Sequence, residues 1–220
     1  MASVTLTSTS ATIETEHLIL RPPTPNMLDS YVRLYGDPKV MKTLADGVPR
    51  TKEFVQKRFD LWSTRWSTGD FYSGLAVIEK ETGKHVGHAQ LAHGDEPGEA
   101  EPSCLTFEEF WNLGYMKEVT SAMLYHWVPR LQMKEALSGH FPLEGKPLTF
   151  ICATARVDNV ASNAILQKIP GLVLCKTEEK YGAQRNHYKM SLDLNNPMIP
   201  ALKKPLAECS MQEITKLLKG

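Results

Sequence analysis

The feature that most restricts the fold is a short join, Trp111-Asn112-Leu113-Gly114-Tyr115-Met116, between an extended stretch and a helical one. Ahead of it, residues 100–106 read as a strand entered from the turn-forming Gly94-Asp95-Glu96-Pro97-Gly98. Behind it, Met116, Val119, Met123 and Trp127 recur at helical spacing, and Leu124 and Val128 widen the stripe. The start of a helix leaves backbone N–H groups free, and a glycine there lets an anion approach the chain closely. Taken alone, this join is also what an ordinary strand–helix connection looks like. A second unit of the same kind follows, where an apolar strand over 148–154 leads through Asp158-Asn159-Val160-Ala161-Ser162 into another helix.

The rest of the chain alternates strand and helix signals. Residues 13–21 read as one strand, stopped by Pro22-Pro23. Leu28, Tyr31, Val32 and Tyr35 mark a short helix, ended by Gly36-Asp37-Pro38. Thr51, an N-cap with Glu53 in the first turn, opens a second helix whose apolar face carries Val55, Phe59, Trp62 and Trp66. The tryptophan pair reads as core. Residues 71–79 and 84–92 form a hairpin across Glu81-Thr82-Gly83, and the first strand is apolar on both parities, as one covered on both faces would be. Strand alternation turns His88 away from His85 and His93, so the three do not converge on a metal. The helix after Gly114 is expected to stop near Val128, because Pro129 lacks a donor. Residues 132–147 then make a connection rich in glycine and proline. A strand over 148–156, a helix over 159–169 stopped by Pro170-Gly171, and an antiparallel pair over 172–178 and 186–194 complete the order.

Glu101, Trp111-x-x-Gly114-Tyr115, Glu118 and Asn159-x-x-Ser162, in that order, resemble the GNAT acetyltransferases. The branch most similar is the RimJ/RimL type, which acetylates protein N-termini and related amines. Residues 14–22, Glu-Thr-Glu-His-Leu-Ile-Leu-Arg-Pro, and Asp37-Pro38-x-Val40-Met41 fit the same branch, and the likeness runs over residues 13–194. The resemblance implies an α/β (α+β) fold of GNAT type, a mixed central sheet of about six to seven strands flanked by helices. It implies direct transfer of an acetyl group from acetyl-CoA to a primary amine, with a peptide N-terminus favoured. Backbone amides of Trp111, Asn112, Leu113, Gly114, Tyr115 and Met116 would hold the CoA pyrophosphate, and Cys104, Leu105 and Thr106 would line the pantetheine arm. Asn159 would position that arm where the strands diverge. Glu101 would relay the amine proton through water, and Ser162, also counted with the cofactor set, would protonate the departing thiolate. Read from the residues alone, Glu101 is equally an ordinary strand carboxylate and Ser162 a small residue in a first helical turn.

The chain departs from the family pattern in several places. Trp-Asn-Leu-Gly-Tyr replaces the usual Trp-Gly-Lys-Gly-Tyr, although Asn112 tolerates unusual backbone angles better than most residues. Ala164 stands where an arginine is usual, and Leu166 stands where many GNATs outside this branch carry a tyrosine acid. These departures leave two alternatives open. One is a catalytically weak acyl-CoA binder acting as sensor or scaffold. The other is an enzyme for small amines such as polyamines or antibiotics, which Glu99, Glu101, Glu108 and Glu109 would suit if they lined the cleft. The acceptor's own chemistry favours termini: an α-amine is about a tenth to a fifth neutral at pH 7, a free lysine about once in 2,500.

Composition excludes other classes. Lys plus Arg and Asp plus Glu are 25 each, so no net field draws the chain to nucleic acid or an anionic membrane. Nothing is apolar for long enough to span a bilayer. Cys104, Cys152, Cys175 and Cys209 lack metal-ligand spacing and read as buried free thiols of a cytoplasmic protein. Residues 1–12, rich in Ser and Thr, read as a flexible tail and not as a signal peptide. Residues 13–194 make the acetyltransferase domain. In 195–220, Pro197, Pro200 and Pro205 stiffen a linker before Ser210-Met211-Gln212-Glu213, a capping box that opens an amphipathic helix. A homodimer through the sheet edge or through this helix is the expected protein partner, beside the amine acceptor.

Overall fold

The computed structural model describes residues 2–192. Its strands are β1 (Ser3–Leu6), β2 (Ala11–Glu14), β3 (Leu18–Arg21), β4 (Gly74–Glu79), β5 (His85–His93), β6 (Glu99–Thr106), β7 (Phe150–Arg156), β8 (Val173–Lys180) and β9 (Ala183–Ser191). They form one open sheet in the order β1-β2-β3-β4-β5-β6-β7-β9-β8. Every neighbouring pair is antiparallel except β6 and β7. The helices are α1 (Leu28–Gly36), α2 (Pro38–Met41), α3 (Lys52–Ser67), α4 (Tyr115–Ala122), α5 (Val128–Ser138) and α6 (Val160–Leu166). The architecture is the expected mixed sheet with flanking helices, with nine strands in place of six or seven.

Both extra strands lie at the N-terminus. Residues 3–6 are not a flexible tail: they pair with β2, and the Thr7 N–H closes the turn on the Ser10 carbonyl at 2.9 Å. Their Ser/Thr content hides an alternation in which Val4 and Leu6 pack against the core. The single strand expected over 13–21 is broken at Thr15. Its hydroxyl accepts from the Leu18 N–H at 3.0 Å, and its own N–H donates to the Leu18 carbonyl at 2.9 Å, which fixes a tight turn. The linker and helix expected over 195–220 fall outside the described residues.

The helix begun at Tyr115 runs further than Pro129 was expected to allow. A π turn over Met123–Trp127 carries it into α5, which ends at Ser138 with Gly139 in the left-handed conformation. Pro129 sits in the first turn of α5, directly after the π turn, where the hydrogen-bond ladder has already left its i to i−4 register.

Helices cover both faces of the sheet. On one, Tyr31 of α1 and Val55, Phe59 and Trp62 of α3 pack on Ala76 of β4. Gly74 is required there, because a Cβ would fall 2.7 Å from both the Trp62 ring and His88. On the other, Leu75, Val77, Ala89 and Leu91 meet Val119, Leu124, Trp127 and Leu131. Trp62 and Trp66 are both buried, as their reading as core requires. The histidines differ from the alternation argument. A bulge between Val77 and Ile78 shifts the register so that His85 and His88 both lie against Tyr31, with ring centroids 4.8 and 5.5 Å away. His93 turns instead to Asp70, at 3.1 Å.

Candidate active site

The parallel pairing of β6 with β7 covers Glu99–Phe150 and Ala100–Ile151 and then stops. β6 keeps its other partner, β5, as far as Thr106, so from Glu101 onward the edge facing β7 is open. Glu101, Pro102, Ser103 and Cys104 are consequently half-buried although they lie mid-sheet. A crevice at the carboxyl ends of parallel strands, with backbone donors and acceptors along one wall, accepts an extended amide-bearing arm.

Past Thr106 the chain makes a 3₁₀ turn, Glu108–Phe110, and enters the 111–116 join. The Trp111 indole folds back and donates from Nε1 to the Thr106 carbonyl at 3.1 Å, while Leu113 stays exposed. Asn112 and Gly114 both take left-handed angles, with φ of 64° and 84°. No atom would lie within 4 Å of a Cβ on Gly114, so the space before it is open. The Glu118 N–H donates to the Gly114 carbonyl at 3.1 Å as the first bond of α4. The amides of Tyr115, Met116 and Lys117 therefore have no intrahelical acceptor, and the helix dipole adds partial positive charge. These groups fit a pyrophosphate.

Two side chains tie this join to the sheet. The Tyr115 hydroxyl donates to Glu79 Oε1 at the end of β4. Glu118 accepts at 2.9 Å from the His17 N–H and lies 2.9 Å from His17 Nδ1, in the β2–β3 turn. Burial works to raise the Glu118 carboxyl, but hydrogen bonds from Thr15 and His17 outweigh it and hold the group below its usual range.

On the β7 side of the opening, Thr154 of β7 donates from Oγ1 to Glu101 Oε1 at 3.0 Å, and Arg185 of β9 donates from Nη2 to Thr154 Oγ1 at 3.3 Å. Burial raises the Glu101 carboxyl above its ordinary range, against the Thr154 hydrogen bond. Arg185 Nη1 also donates to the carbonyl of Ala45, at 3.2 Å, so the loop between α2 and α3 lies against this end of the cleft.

Asn159 caps α6: its side-chain oxygen accepts from the Ser162 N–H at 3.1 Å, and Ser162 is half-buried in the first turn. Behind them, buried Asn163 donates to the Arg156 carbonyl at 2.8 Å and accepts from Asn186 and the Tyr188 hydroxyl, each at 2.9 Å. The cap of α6 is thus fixed to β7 and β9. Among the described residues no hydrogen bond joins Glu101 to Ser162. The structure brings Glu101 and Cys104–Thr106 onto one strand, and 111–116 onto its continuation.

Three of the four acids that could have suited a polycation are already paired, and the fourth, Glu101, is held by the Thr154 hydroxyl. Glu99 meets Lys189 at 3.0 Å, Glu108 meets Lys39 at 2.8 Å and Glu109 meets Arg33 at 3.5 Å. Burial pushes the Cys104 thiol up to about 11, and burial and the nearby Glu101 and Glu99 raise Cys152 further. Cys175, expected inside, is exposed on the edge strand β8. Among the described residues, no group of three His, Cys, Asp or Glu side chains could hold a metal, and no helix is long and apolar enough to cross a membrane.

Thr154, Arg185 and Asn163 were missed in the sequence. Thr154 shares a parity with Cys152 and Arg156 on a strand that was recognised, so alternation could have found it. Arg185 falls one residue outside the strand expected over 186–194.

The sheet is thus opened by two parting strands beside a helix start whose free amides fit a pyrophosphate. A family model described as an acetyltransferase (GNAT) domain matches residues 17–170. The chain belongs to the GNAT family and is an N-acetyltransferase. It is similar in fold to a GNAT-family acetyltransferase from Bacillus anthracis, at TM-score 0.62 and 19% identity, over 82% of this chain and 98% of that one. RimL, the ribosomal L7/L12 alpha-N-protein acetyltransferase, in complex with coenzyme A, aligns at TM-score 0.62 and 17% identity, over 81% and 96%. An acetyl transferase from Salmonella typhimurium that modifies the N-terminal serine of L7/L12 aligns at 0.60 and 18%, over 81% and 97%. No curated protein matches the sequence.

Proposed function

We propose that the chain moves an acetyl group from acetyl-CoA directly to a primary amine, with the α-amine of a peptide or protein N-terminus as the favoured acceptor. The observation that carries this reading is the parting of β6 and β7 after Ala100 and Ile151, next to the free amides of α4. In this reading the 111–116 join holds the pyrophosphate, and the open edge at Cys104, Leu105 and Thr106 pairs with the pantetheine arm. Asn159 spends its oxygen on the α6 cap, which fixes the backbone of Ser162 in the first turn, and in this reading the Ser162 hydroxyl protonates the departing thiolate. Glu101 takes up the amine proton through water.

Direct transfer is favoured over an acyl-cysteine because both cysteines near the crevice are held as neutral thiols, the poorer nucleophiles. An N-terminal acceptor is favoured because its amine needs little help to lose a proton, and because Glu99, Glu108 and Glu109, three of the four acids that would draw a polyamine, are already paired with Lys189, Lys39 and Arg33. RimL, whose fold this chain shares, is an alpha-N-protein acetyltransferase.

Ser162→Ala should lower kcat by about ten- to ten-thousandfold with acetyl-CoA affinity nearly unchanged. Glu101 acts as its anion, so the acidic limb of kcat/KM should lie above the ordinary carboxylate value of 4.5, and Glu101→Gln should abolish that limb. Wild-type turnover in Ser162→Ala would remove the serine from the chemistry. An unchanged limb in Glu101→Gln would remove the carboxylate.

A further inference from the structure

Arg185 is 5% exposed, yet it touches no carboxylate. Its two bonds go to neutral oxygens, the Ala45 carbonyl and the Thr154 hydroxyl, and its Nε is buried with no partner at all. The Tyr181 ring centroid lies 5.8 Å from the guanidinium carbon. Neighbouring charges are engaged elsewhere: Arg156 with Asp158 at 2.8 Å, and Lys180 with Asp95 at 2.8 Å. The nearest carboxylate still free of a cation, Glu101, acts on Arg185 only through space and across the Thr154 hydroxyl, so the fold supplies no counter-ion in contact, and a buried cation without one is costly.

The same guanidinium stands beside the reacting end of the cleft. Thr154 Oγ1 links it to Glu101 through bonds of 3.3 and 3.0 Å, so the Glu101 oxygen and Arg185 Nη2 are separated by no more than those two lengths in series. That is within the reach of two residues of extended chain, roughly 7 Å. One of the two contacts on the guanidinium comes from an unusual stretch of backbone. Ala45 holds a left-handed φ of 47°, unusual for a residue with a Cβ, in a loop where Gly47 has φ +80°. A carboxylate arriving in place of that carbonyl would make shorter, charge-assisted and bidentate bonds on the same donors.

We propose that Arg185 is an acceptor subsite for a carboxylate carried within about two residues of the reacting amine. This rests on the transferase reading above and adds its substrate class: acceptors with an acidic group close to the amine. The carboxylate can be an aspartate or glutamate side chain of a peptide or the α-carboxylate of a free amino acid.

The test compares kcat/KM, by release of free CoA, for short peptides Ser-Glu-x-x, Ser-Gln-x-x and Ser-Lys-x-x and for free glutamate and serine. The acidic peptide or the free amino acids should exceed the neutral peptide by about tenfold, mainly through KM. The arm that responds names the source of the carboxylate. In Arg185→Gln the ratio of acidic to neutral acceptors should fall to about one, and in Arg185→Lys it should partly survive. A wild type without acidic preference overturns the subsite, and this needs no variant to fold. An equal loss on all acceptors in Arg185→Gln, leaving the ratio intact, also overturns it by assigning Arg185 to structure alone. Turnover of neutral peptides with no acidic preference sinks this inference but spares the transferase reading. Silence with every amine sinks both.

Discussion

Gly114 is the residue on which the proposed pyrophosphate site depends most directly. Its φ of +84° is a conformation most side chains adopt only at a cost of about 1–2 kcal/mol, more when branched at Cβ. No protein atom lies where its Cβ would be, so the packing of the chain itself does not demand glycine there. The open space is what a phosphate needs in order to reach the amides of α4. Gly114→Val should strain the join, occupy that space and weaken acetyl-CoA binding by about tenfold or more, read by calorimetry. A folded variant with unchanged affinity would move the pyrophosphate elsewhere. Gly114 and its neighbour Asn112 were legible in the sequence because only a few residue types accept left-handed angles. Arg185 was not legible. Nothing local distinguishes a buried arginine in a strand from an exposed one, and its partners, Ala45 and Thr154, are 140 and 31 residues away.

At the scale of elements, α4 depends on what holds its first turn. His17 and Glu118 join the β2–β3 turn to that turn across 101 residues, and Tyr115 joins it to β4 through Glu79. The hydrogen bond to Glu118 raises the His17 pKa above 6.5, against a smaller opposing effect of burial. A histidine raised in this way contributes stability below its unfolded value and loses it as pH climbs through the folded value. Glu118, held low, acts in the other direction: its contribution is present above the unfolded carboxyl value and is lost as pH falls through the folded one. The link is therefore strongest in mildly acidic solution. The Tm difference between wild type and His17→Gln should be largest near pH 6 and should shrink by about pH 8. A difference independent of pH would show that the ion pair contributes nothing. Periodicity located most of the longer elements, since apolar spacing follows the buried face directly, while β1, α2 and α5 escaped it. It failed where hydrogen bonding overrode spacing: at the Thr15 turn, at the Val77/Ile78 bulge that brings His85 and His88 together, and at the π turn that admits Pro129.

Over the whole molecule, nine strands serve to hold one opening. Antiparallel pairing on both sides of β6 and β7 leaves their divergence as the one parallel step in the described sheet. The order of motifs along the chain made this arrangement legible, because each motif sits at the end of a strand that lines the crevice. The N-terminal hairpin was not legible from composition, since Ser and Thr are as common in strands that alternate with Val and Leu as in loops. This opening is expected to be a site of transfer to an α-amine. The most direct measurement offers acetyl-CoA and a peptide that carries one free N-terminus and one internal lysine, then locates the added acetyl group by mass spectrometry as free CoA is counted. One acetyl on the α-nitrogen for each CoA released is the expected result. Acetylation confined to the lysine, or acetyl-CoA bound with no CoA released for this or any other amine, would contradict the account.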